Sequence, residues 1–404
     1  MHRVPAPAIA PSPVTAPITV IGGGLAGLTA AIAAAEAGAE VTVYEAHHTL
    51  GGRARTAEGP YRTNDGPHAL YSRGPHWTWL RERGLLGPLA PVPVSAAARF
   101  RLRHHGALRR TPPLPMLDLL RRSVRQQAPV DVDFMTWATG VAGEEAARAA
   151  AHYSAVALFH HDPGALSAAF VRERLRRAAR LPAEARCPRG GWANVVDRMA
   201  ARAWQLGVRV ETLSRVDTLP SDTPVVVATS LDAARRLLGD DSLTWTSGRT
   251  ALVDMAIRTR RGDPFVVSDL DEPGWVERFT AQDRSLTPPG EQLLQAQIPI
   301  APYETKADGV SRAEELLDLG FRGWRERLIW RRTGVASGRT GAVDLPGSSW
   351  RDRPAIDRGD GVYLAGDQVA APGVLSEVSF TSALTAVSLA LAAPTRRTLD
   401  LKHA

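Results

Sequence analysis

The sequence predicts an α/β protein: a doubly wound, Rossmann-like domain with a mixed α+β domain inserted into it. Three observations carry this. A short β-branched run, Ile18-Thr19-Val20-Ile21, leads straight into the glycine-rich segment Gly22-Gly23-Gly24-Leu25-Ala26-Gly27. A helix-forming stretch and a second strand-like run follow at once, which completes a βαβ pattern. The strand signals associated with this pattern lie near residues 20, 43, 226 and 363, so one sheet is assembled from separated pieces of the 404-residue chain.

The elements follow in order. Ile18 to Ile21 has the continuous apolar character of a strand buried on both faces. From Leu28 to Ala37 the chain is alanine-rich, the composition with the lowest cost of helix formation, and Gly38 suits the left-handed position after a helix end. Val41-Thr42-Val43-Tyr44 reads as the second strand, with Glu45 at its carboxyl end. Arginine-rich segments from Ala96 to Leu181 read mostly as helices and loops, punctuated at Thr111-Pro112-Pro113 and Asp162-Pro163-Gly164. Strand signals return at Val208-Arg209-Val210 and Val225-Val226-Val227. Arg249 to Ile257 alternates loosely, as a half-exposed strand would, and Gln295 to Ile298 is similar. Helical sequence around Arg312 to Arg331 precedes a short strand at Gly361 to Leu364, and a last helix spans about Val378 to Leu391.

Composition excludes several classes. At 44% hydrophobic and 23% charged residues the chain is globular in character and too apolar to be disordered. The formal net charge is +7, and all but two of the 49 basic residues are arginines. They are scattered among acids with no run of five or more, which argues against a nucleic-acid-binding module. The single cysteine, Cys187, excludes an internal disulfide, a CxxC redox pair and a thiolate metal cluster. Arg186 and Arg189 beside it could lower its thiol pKa, or it is an idle thiol; a reducing, cytoplasmic compartment fits. The first 17 residues hold five prolines and lack both a basic n-region and an apolar h-region. They read as a disordered tail rather than a signal peptide. No stretch of about 18 uncharged apolar residues occurs, so nothing is expected to span a bilayer, while peripheral contact stays open.

Gly22-x-Gly24-x-x-Gly27, set between strand and helix, carries a specific physical logic. The first glycine permits the tight turn, the second lets a pyrophosphate approach the backbone, and the third lets helix and strand pack closely. The helix N-terminus offers free N–H groups and partial positive charge to phosphates. Glu45 lies 18 residues beyond Gly27, where a carboxylate accepts hydrogen bonds from ribose hydroxyls and repels a 2′-phosphate. The expected ligand is a dinucleotide.

Six residues after Glu45 begins Gly51-Gly52-Arg53-Ala54-Arg55, whose amides and guanidinium would add contacts to phosphate and ribose. In this order the blocks resemble the signature of the large flavoprotein group that contains phytoene desaturases, amine oxidases and protoporphyrinogen oxidase. The closest motif likeness is to phytoene desaturase and hydroxysqualene dehydroxylase relatives. Asn64-Asp65-Gly66-Pro67-His68-Ala69-Leu70 resembles the segment that passes beside the isoalloxazine ring in this group. Pro188-Arg189-Gly190-Gly191-Trp192 is similar to its central glycine stretch, and Val216 matches the position whose backbone approaches adenine. Val225-Val226-Val227-Ala228-Thr229 matches the return strand. Ser285 to Gly290 is like a block of the desaturase relatives, and Val362 to Asp367 resembles the C-terminal flavin motif.

The resemblance implies noncovalently bound FAD. Its contacts would come from Gly22, Gly24, Leu25, Ala26, Gly27, Glu45, Ala46, Gly51, Gly52, Arg53, Gly66, Pro67, His68, Ala69, Val216, Ala228, Gly366, Asp367, Val378 and Ser379. Asp367 would address ribityl or ribose hydroxyls, and the last helix would point its positive end at the flavin pyrimidine edge, where negative charge gathers on reduction. Ser376 or Ser379 could instead serve as simple helix N-caps. His68 is the leading candidate for proton chemistry and Tyr71 the second, against the alternative that His68 only packs.

The implied activity is desaturase- or dehydrogenase-type removal of hydride from a C–C or C–N bond of a largely apolar small molecule in biosynthesis. An amine or amino-acid oxidase is the alternative, and a structural or redox-neutral flavin protein a further one. Amine oxidases of the group carry a lysine on the strand matching 249–257; none is present there, and Lys306 is the only internal lysine. Trp77, Trp79, Trp137, Trp275 and Trp324 either line an apolar cavity or pack the core. No metal site is expected: adjacent histidines such as His160-His161 diverge on a helix. The expected division is a tail (1–15), FAD-binding parts at 16–95, 185–247 and 350–394, substrate-domain parts at 96–184 and 248–349, and a second tail (395–404). Oligomeric state is not legible.

Overall fold

The structure is a computed structural model that describes residues 15–66 and 69–393. The expected tails (residue 15 aside) and the pair Pro67 and His68 lie outside the described residues. In chain order the elements begin with β1 (Thr15–Ile21), α1 (Leu25–Glu36), β2 (Ala39–Tyr44), β3 (Leu70–Tyr71), α2 (Pro75–Glu82), β4 (Leu89–Ala90), α3 (Val94–Ala97), β5 (Phe100–His104) and β6 (Ala107–Arg109). Then come α4 (Leu114–Ser123), α5 (Phe134–Ala142), α6 (Glu144–Leu158), α7 (Ala168–Ala178), β7 (Ala185–Pro188), α8 (Ala193–Gln205), β8 (Arg209–Glu211), β9 (Val225–Val227) and α9 (Leu231–Leu238). The last are β10 (Ser247–Arg258), β11 (Val266–Asp269), β12 (Gly274–Arg278), β13 (Glu291–Pro299), α10 (Lys306–Gly320), β14 (Leu328–Ala342), β15 (Val362–Leu364) and α11 (Ser376–Ala392).

Five parallel strands form a sheet in the order β15-β9-β1-β2-β8. Numbered by appearance within the sheet this is 5-4-1-2-3, the doubly wound order, with its reversal between β1 and β9. Val20, Val43 and Val226 are fully buried, as a parallel sheet covered on both faces requires. α1 packs against α8 and α11, and α11 lies on β1, β9 and β15. The small side chains of Ala26, Ala30, Ala31 and Ala34, all buried, let α1 approach closely.

A second, largely antiparallel sheet runs β14-β10-β13-β12-β11-β5-β6. One face is apolar and covered by α10: Val253, Met255, Leu294 and Ala296 meet Ala313, Leu316, Leu317 and Phe321. A Cβ on Gly309 would lie 2.5 Å from Ala251 Cβ, so glycine lets this helix close on β10. Thr305 and Asp308 cap α10 reciprocally. Helices α4 to α7 enclose a third apolar cluster that includes Leu119, Phe134, Leu158 and Leu175. A short sheet, β3-β7-β4, completes the fold.

Some expectations are corrected. The stretch 96–181 is not helices and loops alone, because β5 and β6 form a hairpin on the second sheet. Its arginines hide the alternation that buries Leu102. The expected helix to Arg331 stops at Gly320, and Leu328 onward is strand β14, held by long pairing with β10. Propensity loses there to tertiary register. β10 is not half-exposed; α10 covers one face, and on the other the segment at Asn64 meets the neighbouring strands β13 and β14.

Candidate active site

The turn after β1 shows why its residues are glycines. Gly22 has φ +103°, and a Cβ there would lie 2.7 Å from the Ala228 carbonyl oxygen. A Cβ on Gly27 would lie 1.8 Å from Gly22 O. Gly24 differs: its nearest neighbours would be Gly51 O and Gly52 Cα at 3.9 Å, so the space beside it is open. Gly24 also caps α1 with no side chain of its own. This open side at a helix N-terminus fits the pyrophosphate of a dinucleotide. Glu45 is buried; its Oε2 accepts from the Gly23 N–H (2.8 Å) and its Oε1 from the His47 N–H (2.9 Å). Each oxygen keeps a further lone pair for ribose hydroxyls.

The second glycine loop docks directly on the first. The Gly51 N–H donates to Gly23 O (2.8 Å), and Gly24 and Gly51 form a parallel bridge. Gly51 and Gly52 both have positive φ, +106° and +56°. Arg53 then reaches across to Asp367 in a two-point ion pair of 2.6 and 2.7 Å. Two small clefts share Asp367 as a wall. The first is lined also by Leu158, Arg174, Arg353, Leu375 and Val378; the second lies at the carboxyl ends of β9 and β15. Leu375, the cap of α11, has φ +54° and ψ −122°, a conformation costly for a branched side chain. Neither Ser376 nor Ser379 caps this helix, since no side chain makes a cap bond; Glu377 Oε2 accepts the Val374 N–H instead.

The remaining expected contacts are spread over several elements. Leu25 and Ala26 open α1, and the Ala228 N–H donates to Ile21 O beside Gly22. Ala46 is exposed and Val216 half-buried. Their segments are joined where the Ser214 N–H meets Glu45 O. Gly366 is tied by its N–H to Ser382 Oγ, while Val378 and Ser379 are buried in the first turn of α11. Gly66 and Ala69 are half-buried on either side of the undescribed pair. Tyr71 sits on β3 with the Arg177 guanidinium 5.1 Å over its ring, and burial pushes its phenol well up. It is therefore protonated at neutral pH, able to donate but not to act as a base.

Register assembles a second group that spacing did not reveal. On β10, Asp254 faces Gln295 of β13 and Arg332 of β14. Arg332 Nε and Nη2 donate to Asp254 Oδ2 at 2.9 and 2.7 Å, and Gln295 Nε2 donates to Oδ1 at 2.6 Å. Gln297 Nε2 donates to Gln295 Oε1 (2.7 Å). Arg332 and Gln295 both also reach the Asn64 carbonyl, at 3.2 and 3.4 Å. Burial raises the Asp254 carboxyl pKa, with Arg332 opposing. Trp275 of β12 lies across from Gln297. Among the described residues, Gln297 Oε1, Trp275 Nε1 and Asn64 Nδ2 are buried without a hydrogen-bond partner. The face of the second sheet turned away from α10 thus carries buried polar side chains that abut the segment leading to His68.

Other candidates separate. Trp77 and Trp79 belong to the core of the parallel sheet, Trp137 to the helical cluster and Trp324 to the α10 face, so they do not line one cavity. His160 Nδ1 is engaged by the Asp162 backbone. Cys187 is buried, and burial together with Glu277 and Asp283 pushes its thiol up, against any lowering by neighbouring arginines. His76, which no motif flagged, is fully buried with Nε2 2.9 Å from Tyr71 O and Nδ1 3.6 Å from Glu377. Burial lowers its pKa to about 4.

Comparison with known proteins agrees with this geometry. The family of NAD(P)-binding Rossmann-like domains matches residues 20–83. No curated protein matches the chain in sequence. Among solved structures, an oxidoreductase from Methanosarcina mazei superposes with a TM-score of 0.75 at 18% identity, over 92% of this chain and 99% of that one. Cyclohexylamine oxidase from Brevibacterium oxydans gives 0.69 at 18% identity, over 93% and 99%. A reduced UDP-galactopyranose mutase gives 0.69 at 15%, over 94% and 96%. Residues 20–83 thus match an NAD(P)-binding Rossmann-like domain, and the chain shares its fold with these solved structures.

Proposed function

We propose that this chain is an FAD-dependent oxidoreductase that removes a hydride from a C–C or C–N bond of a small molecule. The observation that carries the reading is the docking of the Gly51-Gly52-Arg53 loop on the glycine turn, at the point where the strand order reverses. A nicotinamide site has no need of that second loop. When bound, the flavin supplies the two-electron acceptor. Gly22, Gly24 and Gly27 clear the backbone for the pyrophosphate, and the α1 N-terminus offers it N–H donors. Glu45 takes the ribose hydroxyls, and the backbone at Val216 approaches adenine. Arg53 and Asp367 exchange their mutual pair for phosphate and ribityl contacts. The first turn of α11, with Val378 and Ser379, presents its positive end to the pyrimidine edge. His68 holds or moves the proton, and Tyr71 orients through its protonated phenol. The reading includes a cytoplasmic enzyme with a small-molecule partner and no nucleic acid.

The apolar face of a desaturase site is not the only reading. The buried Asp254-Gln295-Gln297 ladder, with Gln297 Oε1 and Trp275 Nε1 unpartnered among the described residues, favours a substrate that bears a hydrogen-bonding group. Oxidation of an amine or amino acid is therefore the second reading. An absorption spectrum of the purified protein, followed by denaturation and identification of the released nucleotide, tests the common core. Flavin bands and free FAD are expected; a colourless protein that takes up no added FAD would overturn it. His68→Ala should keep the flavin and slow its reduction by substrate.

A further inference from the structure

We propose that His104, His105 and Glu145 form a binding site for a first-row divalent cation of the zinc type, away from the nucleotide groove. His104 ends β5, and His105 with Gly106 makes the two-residue turn into β6. In an extended strand, successive side chains point to opposite faces. Here His105 has φ +52° and Gly106 φ +70°, the pair of left-handed residues that the tightest hairpin turn demands. That turn brings both imidazoles to one side, with ring centroids 4.0 Å apart. The turn is itself held from another part of the chain, because the Asp271 carboxylate accepts the His105 and Gly106 N–H groups at 2.8 Å each.

Glu145, in the first turn of α6, completes the group. Its Oε1 lies 3.5 Å from His104 Nε2 and 3.3 Å from His105 Nε2. A tetrahedral ion with bonds of about 2.0–2.1 Å separates its ligand atoms by about 3.4 Å, so these spacings match the edges of a zinc tetrahedron. Two imidazoles and one carboxylate suit zinc, cobalt, nickel or copper rather than calcium or magnesium, and leave a fourth position for water. The ion would join the edge hairpin of the second sheet to α6, whose far end, Ala157 and Leu158, lines the pocket beside Asp367.

The test is calorimetric titration of zinc chloride into the chelator-treated full chain, with cobalt(II) as a spectroscopic probe. One saturable equivalent with the visible bands of tetrahedral cobalt is expected, and binding should fade as the pH falls and the imidazoles protonate. His105→Ala and Glu145→Gln, both at exposed positions, should each weaken it by roughly tenfold or more, and His104→Ala/His105→Ala should abolish it. The simple alternative is an ion pair of protonated histidine with Glu145. No saturable uptake, or uptake unchanged in His105→Ala, would overturn the proposal.

Discussion

The two sheets present opposite kinds of surface. At the parallel sheet, the groove is lined by backbone made accessible by missing side chains, and its one prominent ion pair, Arg53–Asp367, is partly exposed. At the antiparallel sheet the equivalent surface is built from side chains, with Asp254, Gln295 and Gln297 almost fully buried. The first arrangement depends on space, so it is sensitive to any added atom. The second depends on paired charge and hydrogen bonds, so it is sensitive to any removed partner.

The largest effect should come from adding one carbon where there is no room. Gly27→Ala places a Cβ against Gly22 O and should cost about 3 kcal/mol or more in stability, as overpacking against backbone does. Gly24→Val should instead melt close to the parent while losing flavin, because only the groove is filled. Thermal melts and bound-flavin ratios separate the two; stoichiometric flavin in Gly24→Val would break the contrast.

Next comes removal of a partner on the other sheet. Arg332→Met strands the buried Asp254 carboxylate and should cost about 2–3 kcal/mol, at the low end for a buried pair because Arg332 is 37% exposed. Asp254→Leu combined with Arg332→Met should recover most of it in urea unfolding. A double variant no better than the single would show that packing, not charge, is at stake.

The sheets should also differ in the sign of their pH dependence. Burial raises the Glu277 carboxyl on β12 from 4.5 to about 8. Between those values the folded chain keeps a proton that the unfolded chain has lost, so stability falls as pH rises. His76 beside the parallel sheet is lowered from 6.5 to about 4, so its contribution is lost as pH falls through that window. Glu277→Gln should gain on the parent towards pH 8, and His76→Asn should gain on it towards pH 5, each read from urea midpoints. Parallel profiles for parent and variant would remove either group from the account. The smallest stability effect is expected for Asp367→Ala: about 1 kcal/mol or less, as for other exposed pairs, with weakened flavin retention as its main phenotype.

This contrast explains what the sequence discloses. Gly22, Gly24 and Gly27 are legible because each answers a local steric demand within a few residues. Glu45 is legible because strand length sets where a carboxylate ends up. The Asp254–Arg332 pair is separated by 78 residues, and Asn64 by far more, so no spacing rule reaches it; only the register of β10 against β13 and β14 does. The lysine-free strand 249–257 is legible as a strand, yet its character lies in Asp254 rather than in the missing amine. The His104-His105 pair is not legible because a left-handed turn, not a helix or strand period, aligns the rings.

The strand order of the parallel sheet has a consequence for how the chain is made. β1, α1 and β2 are complete by Tyr44, but the partner for the other edge of β1 is β9, which begins at Val225. At about 5–20 residues per second, a ribosome needs on the order of ten seconds or more to supply it. Through that interval the nascent chain exposes the unpaired edge of a largely apolar strand, the kind that recruits neighbours or chaperones. Closure comes last, when α11, the final described helix, settles on α1, the first; a chain halted before Ser376 would leave β9 and β15 without the helix that packs on them.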